Sequence, residues 1–150
     1  MSTNAVSDAD LVWSDALLLG YEPMDAVHEE FVDVVNRLLS APDAELLQHL
    51  DEFFEHAERH FGLEDRWMTE TGFPPRDCHM AEHAAVLKSA REVREYVAAG
   101  NTAVARSFAA ELARWFPGHA DYLDSALAQW MFKRQHGGKP LVFRRNIAAA

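Results

Sequence analysis

The chain reads as an all-α protein: an up-down-up-down four-helix bundle with an N-terminal arm and a short basic C-terminal tail. Three observations point there. Long stretches place apolar residues at helical intervals, turn-forming clusters are widely spaced, and only seven glycines occur in 150 residues. The expected organisation is an arm over residues 1–22, a bundle over 23–132 and a tail over 133–150. Within the bundle the helices are expected near Met24–Leu39, Asp43–Glu70, Asp77–Ala98 and Thr102–Phe132.

The breaks between helices have chemical reasons. Ser40-Ala-Pro42-Asp43 stops the first helix and offers caps for the second, and Thr71-Gly-Phe-Pro-Pro75 forces the second to end. Ala99-Gly-Asn-Thr102 supplies a glycine suited to a left-handed turn, followed by N-cap residues. Inside the second helix, Leu46, Leu50, Phe53, Ala57, His60, Glu64 and Trp67 recur in steps of four and three. In the third, His79, His83, Val86, Ala90, Val93 and Val97 do the same. Such spacing makes a seam facing neighbouring helices at a shallow angle. The first helix contributes His28, Phe31, Val35 and Leu38; the last contributes Val104, Phe108, Leu112, Trp115 and His119. Short connections between four such helices favour antiparallel neighbours.

Composition narrows the function. The chain is 49% hydrophobic with nine Phe and four Trp, enough for a sizeable core. A net charge of −10 opposes a nucleic-acid partner, since phosphate binding needs a basic face. No apolar run reaches the roughly 20 residues of a membrane span, so no membrane insertion is expected. Met1–Asp10 has neither the basic nor the apolar region of a secretion signal, and Cys78 stands alone, so a cytoplasmic location is expected. Charge is uneven: Lys133–Ala150 holds five basic residues and no acidic one. That tail reads either as a solvated segment drawn to an acidic body or as a docking segment for a protein partner, built on Pro140-Leu-Val-Phe-Arg-Arg145.

The anomaly is that every seam contains a histidine. A buried carboxylate costs several kcal/mol unless it is paired, hydrogen-bonded or bound to metal. Glu64 lies one turn after His60, and His79 and His83 are one turn apart; an i,i+4 pair aims two donors at one point, as helices do when they chelate metals. In an antiparallel bundle His28, His60, Glu64, His79, His83 and His119 converge in one cross-section. An apolar core cannot satisfy six such donors, whereas a metal site can. His49 and His136 lack seam partners and are expected to face solvent. His56 lies off the main seam, suited to supporting a ligand or facing solvent. Cys78 is read as a small buried or half-buried residue.

With these residues in view, the chain resembles the hemerythrins, and among them the single-domain bacterial ones. The resemblance runs from about Trp13 to Trp130. It is carried by Gly20-Tyr-Glu-Pro-Met-Asp-Ala-Val-His28, His60-Phe-Gly-Leu-Glu64-Asp65, His79-Met-Ala-Glu-His83 and His119-Ala-Asp-Tyr-Leu-Asp124. It implies a cofactor of two non-haem iron ions joined by an oxo or hydroxo bridge. His79, His83 and His119 would hold one ion, His28 and His60 the other, and Glu64 and Asp124 would span both. The ion with fewer histidines would keep a position open for dioxygen. The implied function is reversible dioxygen binding, for storage, delivery or sensing, with no catalytic residues.

Five neutral histidines and two carboxylates supply less negative charge than the four carboxylates and two histidines of ferritin-like enzymes, which favours binding over oxygen activation. A di-iron enzyme acting on peroxide or nitric oxide, or an iron-handling module, is the alternative. Phe61, Trp115 and Phe116 are expected to wall the oxygen pocket. Ala120, where related proteins commonly carry a bulkier aliphatic residue, would make it roomier. Asp124 follows His119 by five residues, about 140° around an ideal helix, so a wide turn or bend must bring both inward. Asp121 is the competing carboxylate, and Pro117-Gly118 offers a source for the bend.

Overall fold

Residues 11–136 are described by a computed structural model. Four helical rods form the bundle: α1 (Glu22–Ser40), α2 (Leu46–Thr71), α3 (Arg76–Ala98) and a fourth made of α4 (Ala103–His119), a π-helical turn (Ala120–Asp124) and α5 (Ser125–Gln135). Helix α1 packs on α2 and α4, and α3 packs on α2 and α4, the ring of neighbours expected of an up-down-up-down bundle. A single 3-10 turn, Asp43–Glu45, leads into α2, which therefore starts a few residues later than the sequence suggests. The last rod runs through Lys133 and Arg134, so the basic stretch begins on helix. The docking motif at 140–145 lies outside the described residues. No described helix is long and apolar enough to cross a membrane.

Local chemistry sets the ends. Pro23 opens α1, where a missing N–H costs nothing. The Asp25 carboxylate accepts the Leu19 and Gly20 amides at 2.8 and 3.1 Å, holding the arm at the start of α1. Further out, Asn36 clamps Leu11: its side chain accepts from the Leu11 amide and donates to the Leu11 carbonyl. Helix α2 ends at Gly72, whose φ of 68° is left-handed, and the Phe73 amide bonds back to the Met68 carbonyl at 2.9 Å.

Two apolar clusters fill the interior. The larger, at one end, includes Phe31, Val35, Leu38, Leu50, Phe53, Ala57, Phe61, Ala109, Leu112 and Phe116. The smaller, at the other, joins Tyr21, Met24, Met68, Phe73 and Leu127, with Trp67 and Trp130 against it. On each rod the buried donors lie near where these clusters meet, except that His56 of α2 sits between Phe53 and Ala57 of the larger one. The seams of the first three helices face inward as expected. On α4 the register is shifted: Ala105, Ala109, Leu112, Ala113 and Phe116 are buried, while Val104, Phe108 and Trp115 are only partly covered. Small alanines let the α4 backbone approach its neighbours, and the bulkier residues lap over the edge.

Phe31 is fully buried, with Phe53, His60 and Phe116 rings around it at 4.6–5.8 Å. Replacing it with alanine leaves a cavity no neighbour can fill. We expect Phe31→Ala to lower unfolding free energy by about 3–5 kcal/mol in chemical denaturation.

Candidate metal centre

The structure brings together seven buried side chains, His28, His60, Glu64, His79, His83, His119 and Asp124, none more than 5% exposed. Helix α1 supplies His28, α2 supplies His60 and Glu64 one turn apart, α3 supplies His79 and His83 one turn apart, and the last rod supplies His119 and Asp124. The π turn explains how that rod delivers two. In a π-helix the bonding step is five residues, and here the Ser125 amide bonds to the Ala120 carbonyl. The wider turn brings residues five apart toward the same side, and His119 and Asp124 are both buried. Asp121 is exposed and takes no part.

The donors fall into two groups, in each of which the ligand atoms lie within 4.8 Å of one another: Glu64, His79, His83, His119 and Asp124, and His28, His60 and Glu64. In the first, Glu64 Oε1 lies 3.2 Å from His83 Nε2, and Asp124 Oδ1 lies 2.8 Å from His79 Nε2 and 3.3 Å from His119 Nε2. In the second, Glu64 Oε2 lies 2.9 Å from His60 Nε2 and 3.2 Å from His28 Nε2, and Asp124 Oδ2 lies 3.1 Å from His28 Nε2. Each carboxylate therefore offers one oxygen to each group.

These residues suit a pair of cations. Glu64 Oε1, both Asp124 oxygens and Nε2 of His79, His83 and His119 are buried without an aligned hydrogen bond, although they crowd together. Orphaned polar atoms in an apolar interior are costly, and cations at their focus would satisfy them together. Imidazole and carboxylate donors suit first-row transition metals. Two carboxylates against two divalent ions leave a modest net positive charge.

The electrostatics show the same demand for positive charge. Burial pulls His28 down, but the hydrogen bond and charge of Asp124, followed by those of Glu64, outweigh it and raise His28 to about 10. His79 follows the same course to about 9. Burial raises Glu64, yet the His60 charge and contacts from His28, His60 and His79 hold it well below the carboxylate range. Asp124 is lowered too: burial and Glu64 act upward, and His119 and His28 more than offset them. His60 is lowered, chiefly by burial.

Aromatic rings line the site. Phe61 stacks on His83, with centroids 4.2 Å apart and planes at 4°, and Trp115 stacks on His119 at 4.3 Å. Phe116 meets His28 edge-on at 5.1 Å. Phe31, which the sequence marks only as a seam residue, walls the same side as Phe116, close to His60. Ala120 is buried where the π turn begins and borders a cleft of about 350 Å³ under the arm, beside Leu17, Leu19 and Pro117.

Two carboxylates escape sequence reasoning: Asp65 Oδ1 lies 2.8 Å from His83 Nδ1, and Glu82 Oε1 lies 2.8 Å from His119 Nδ1. Their only signal is that each adjoins a donor in sequence. The expectations for His49 and Cys78 change, and that for His56 narrows to the buried alternative. His49 is half-buried between Glu45 and Glu52 rather than solvent-facing. His56 is buried, 3.4 Å from Glu30, and lowered to about 4, first by burial and then by His60 and Arg59. Cys78 is exposed, because it sits on the outer face of the first turn of α3 while His79 faces inward. His136 is exposed as expected, stacked on Phe132.

Fold and site together define a four-helix bundle whose core gathers two adjoining groups of buried side chains able to hold cations. The family model described as the hemerythrin HHE cation binding domain matches residues 19–131. A bacteriohemerythrin of Ralstonia nicotianae is 40% identical over 122 residues, covering 81% of this chain and 89% of the relative. One of Stenotrophomonas maltophilia is 28% identical over 140 residues, covering 85% and 91%. The chain belongs to the hemerythrin family and groups with its bacteriohemerythrins. Among solved structures, a wild-type hemerythrin superposes with a TM-score of 0.72 at 21% identity, over 79% of this chain and 95% of that one. A single-residue hemerythrin mutant gives 0.73 at 22% identity, over 80% and 95%. These matches reinforce the fold.

Proposed function

We propose that this chain is a di-iron dioxygen-binding protein, a binding protein rather than an enzyme, serving oxygen storage, delivery or sensing in the cytoplasm. The observation that carries the reading is that Glu64 and Asp124 each turn one oxygen toward the His79, His83 and His119 group and the other toward His28 and His60. In this reading His79, His83 and His119 would hold one ion, His28 and His60 would hold the second, and Glu64 and Asp124 would be shared between them, with an oxo or hydroxo group completing the cofactor. When bound, two such ferrous ions supply the electrons for reversible dioxygen uptake.

The chain's own residues do the rest. The group with two histidines has fewer protein donors, so that side has room for an external ligand. Phe31 and Phe116 cover it with apolar surface that excludes water and protons. Histidine-rich, carboxylate-poor coordination limits the negative charge that would stabilise high-valent iron.

Metal analysis with anaerobic oxygen titration tests the proposal. Two irons per chain are expected, and an optical change on oxygen addition that reverses when oxygen is removed. One zinc per chain with no such change would overturn the reading.

A further inference from the structure

The two donor groups differ in what stands behind their histidines. His83 and His119 turn Nε2 toward the site and Nδ1 toward Asp65 and Glu82, each at 2.8 Å. An ionised carboxylate only accepts, so the ring proton is on Nδ1 and the histidine donates. By contrast, Nδ1 of His28, His60 and His79 is buried without a hydrogen-bond partner among the described residues. Both carboxylate-backed rings belong to the three-histidine group. Neither belongs to the pair formed by His28 and His60.

Each backed ring is also clamped by an aromatic neighbour, His83 under Phe61 and His119 against Trp115. Stacking restrains the ring planes, so holding the rings in place does not depend on the carboxylates alone. What a carboxylate adds is charge: a hydrogen bond to an anion draws the ring proton away and makes Nε2 a stronger donor to a metal. A stronger donor favours the higher metal charge. Asp65 and Glu82 are partly exposed, so water and exchangeable solutes reach them while their histidines stay dry.

Building on the proposed paired metal site, we infer that Asp65 and Glu82 are positioning residues that make its two positions unequal. By accepting hydrogen bonds from the Nδ1–H groups of His83 and His119, they would make the three-histidine position bind metal more tightly and give up an electron more readily, its iron passing from Fe(II) to Fe(III) as the electron goes to dioxygen in the proposed function or to the electrode in the test.

The test uses the full chain and its Asp65→Asn and Glu82→Gln variants, with Glu95→Gln as an exposed carboxylate away from the site. The metal-free chain is titrated anaerobically with cobalt(II), followed by the visible absorption of the bound ion. The iron-loaded chain is titrated electrochemically for its one-electron midpoint potentials. Asn and Gln keep an oxygen that can accept the ring N–H, so geometry is preserved while the charge is lost. We expect the tighter cobalt step to weaken by roughly tenfold or more in each variant. We also expect a tenfold loss of ferric preference at the first iron to oxidise, a rise of about 59 mV. Glu95→Gln should change neither. Unchanged affinity and potential in both variants would overturn the inference. So would weaker cobalt binding at an unmoved potential, which is what simple loosening of the rings would give. Uptake of fewer than two cobalt ions by the unsubstituted chain would instead remove the paired site itself and the inference with it.

Discussion

Replacing Glu64 with glutamine should leave the chain holding at most one metal ion, where the proposed paired site takes up two. Glu64 belongs to both donor groups, and of the two shared carboxylates it is the one in contact with His60. Its Oε2 lies 2.9 and 3.2 Å from His60 and His28, and its Oε1 lies 3.2 Å from His83. Glutamine keeps the shape but turns one oxygen into an amide nitrogen, which does not ligate, and removes one of two buried negative charges. Without that charge a second divalent ion would meet the first across a dry core with only Asp124 to compensate. The metal-free fold should change less, since His28 and His79 keep Asp124 as a partner at 3.1 and 2.8 Å. Metal analysis after loading and desalting measures the stoichiometry directly. Two ions retained on Glu64→Gln would show that Glu64 does not join the two positions.

The residues that matter here were unevenly legible in the sequence, for physical reasons. Helices α1 to α3 are regular, so spacing alone places His28, His60, Glu64, His79 and His83 on inward faces. The last rod is not regular. Its contacts are made by alanines, which carry little hydrophobic signal, while Trp115 and Phe108 draw the eye to a face rotated by one residue. The His119–Asp124 spacing is incompatible with a straight α-helix, and that incompatibility was the readable sign of the π turn. Pro117 lies two residues before His119 within α4, where it removes one backbone donor just ahead of the wide turn. Asp65 and Glu82 look like any solvent-facing carboxylates of an acidic protein, and only the placement of α3 against α2 and α4 brings them to ring nitrogens. Cys78 shows the limit of adjacency: a step of about 100° carries it from the inward face of His79 to solvent.

The sharpest contrast between metal-free and metal-loaded protein should appear in alkaline solution. In the metal-free fold His28 is raised to about 10 and His79 to about 9 against an ordinary value near 6.5, so their protons act as counterions to Glu64 and Asp124. A histidine raised on folding contributes stability that is complete below pH 6.5 and is lost as pH climbs through its folded value. The metal-free chain should therefore lose stability steadily between pH 6.5 and 10. Up to its own folded value, about 9 for His79 and about 10 for His28, each such group costs about 1.4 kcal/mol per pH unit, and roughly 3 °C of Tm accompanies each kcal/mol in a chain of this size. Below pH 6.5 the sign reverses, because His56, lowered to about 4, and His60, also lowered, resist the protons that the unfolded chain takes up. Still lower, Glu64 and Asp124 lose the stabilisation that accompanies their depressed values. Stability of the metal-free chain should thus peak near pH 6.5. Bound cations replace the protons on His28 and His79, so loading should flatten the alkaline limb and metal affinity should rise with pH across the same window. Thermal unfolding of both forms from pH 5 to 10 reads this out. Parallel alkaline losses in the two forms would mean that protons and metal do not compete for these histidines.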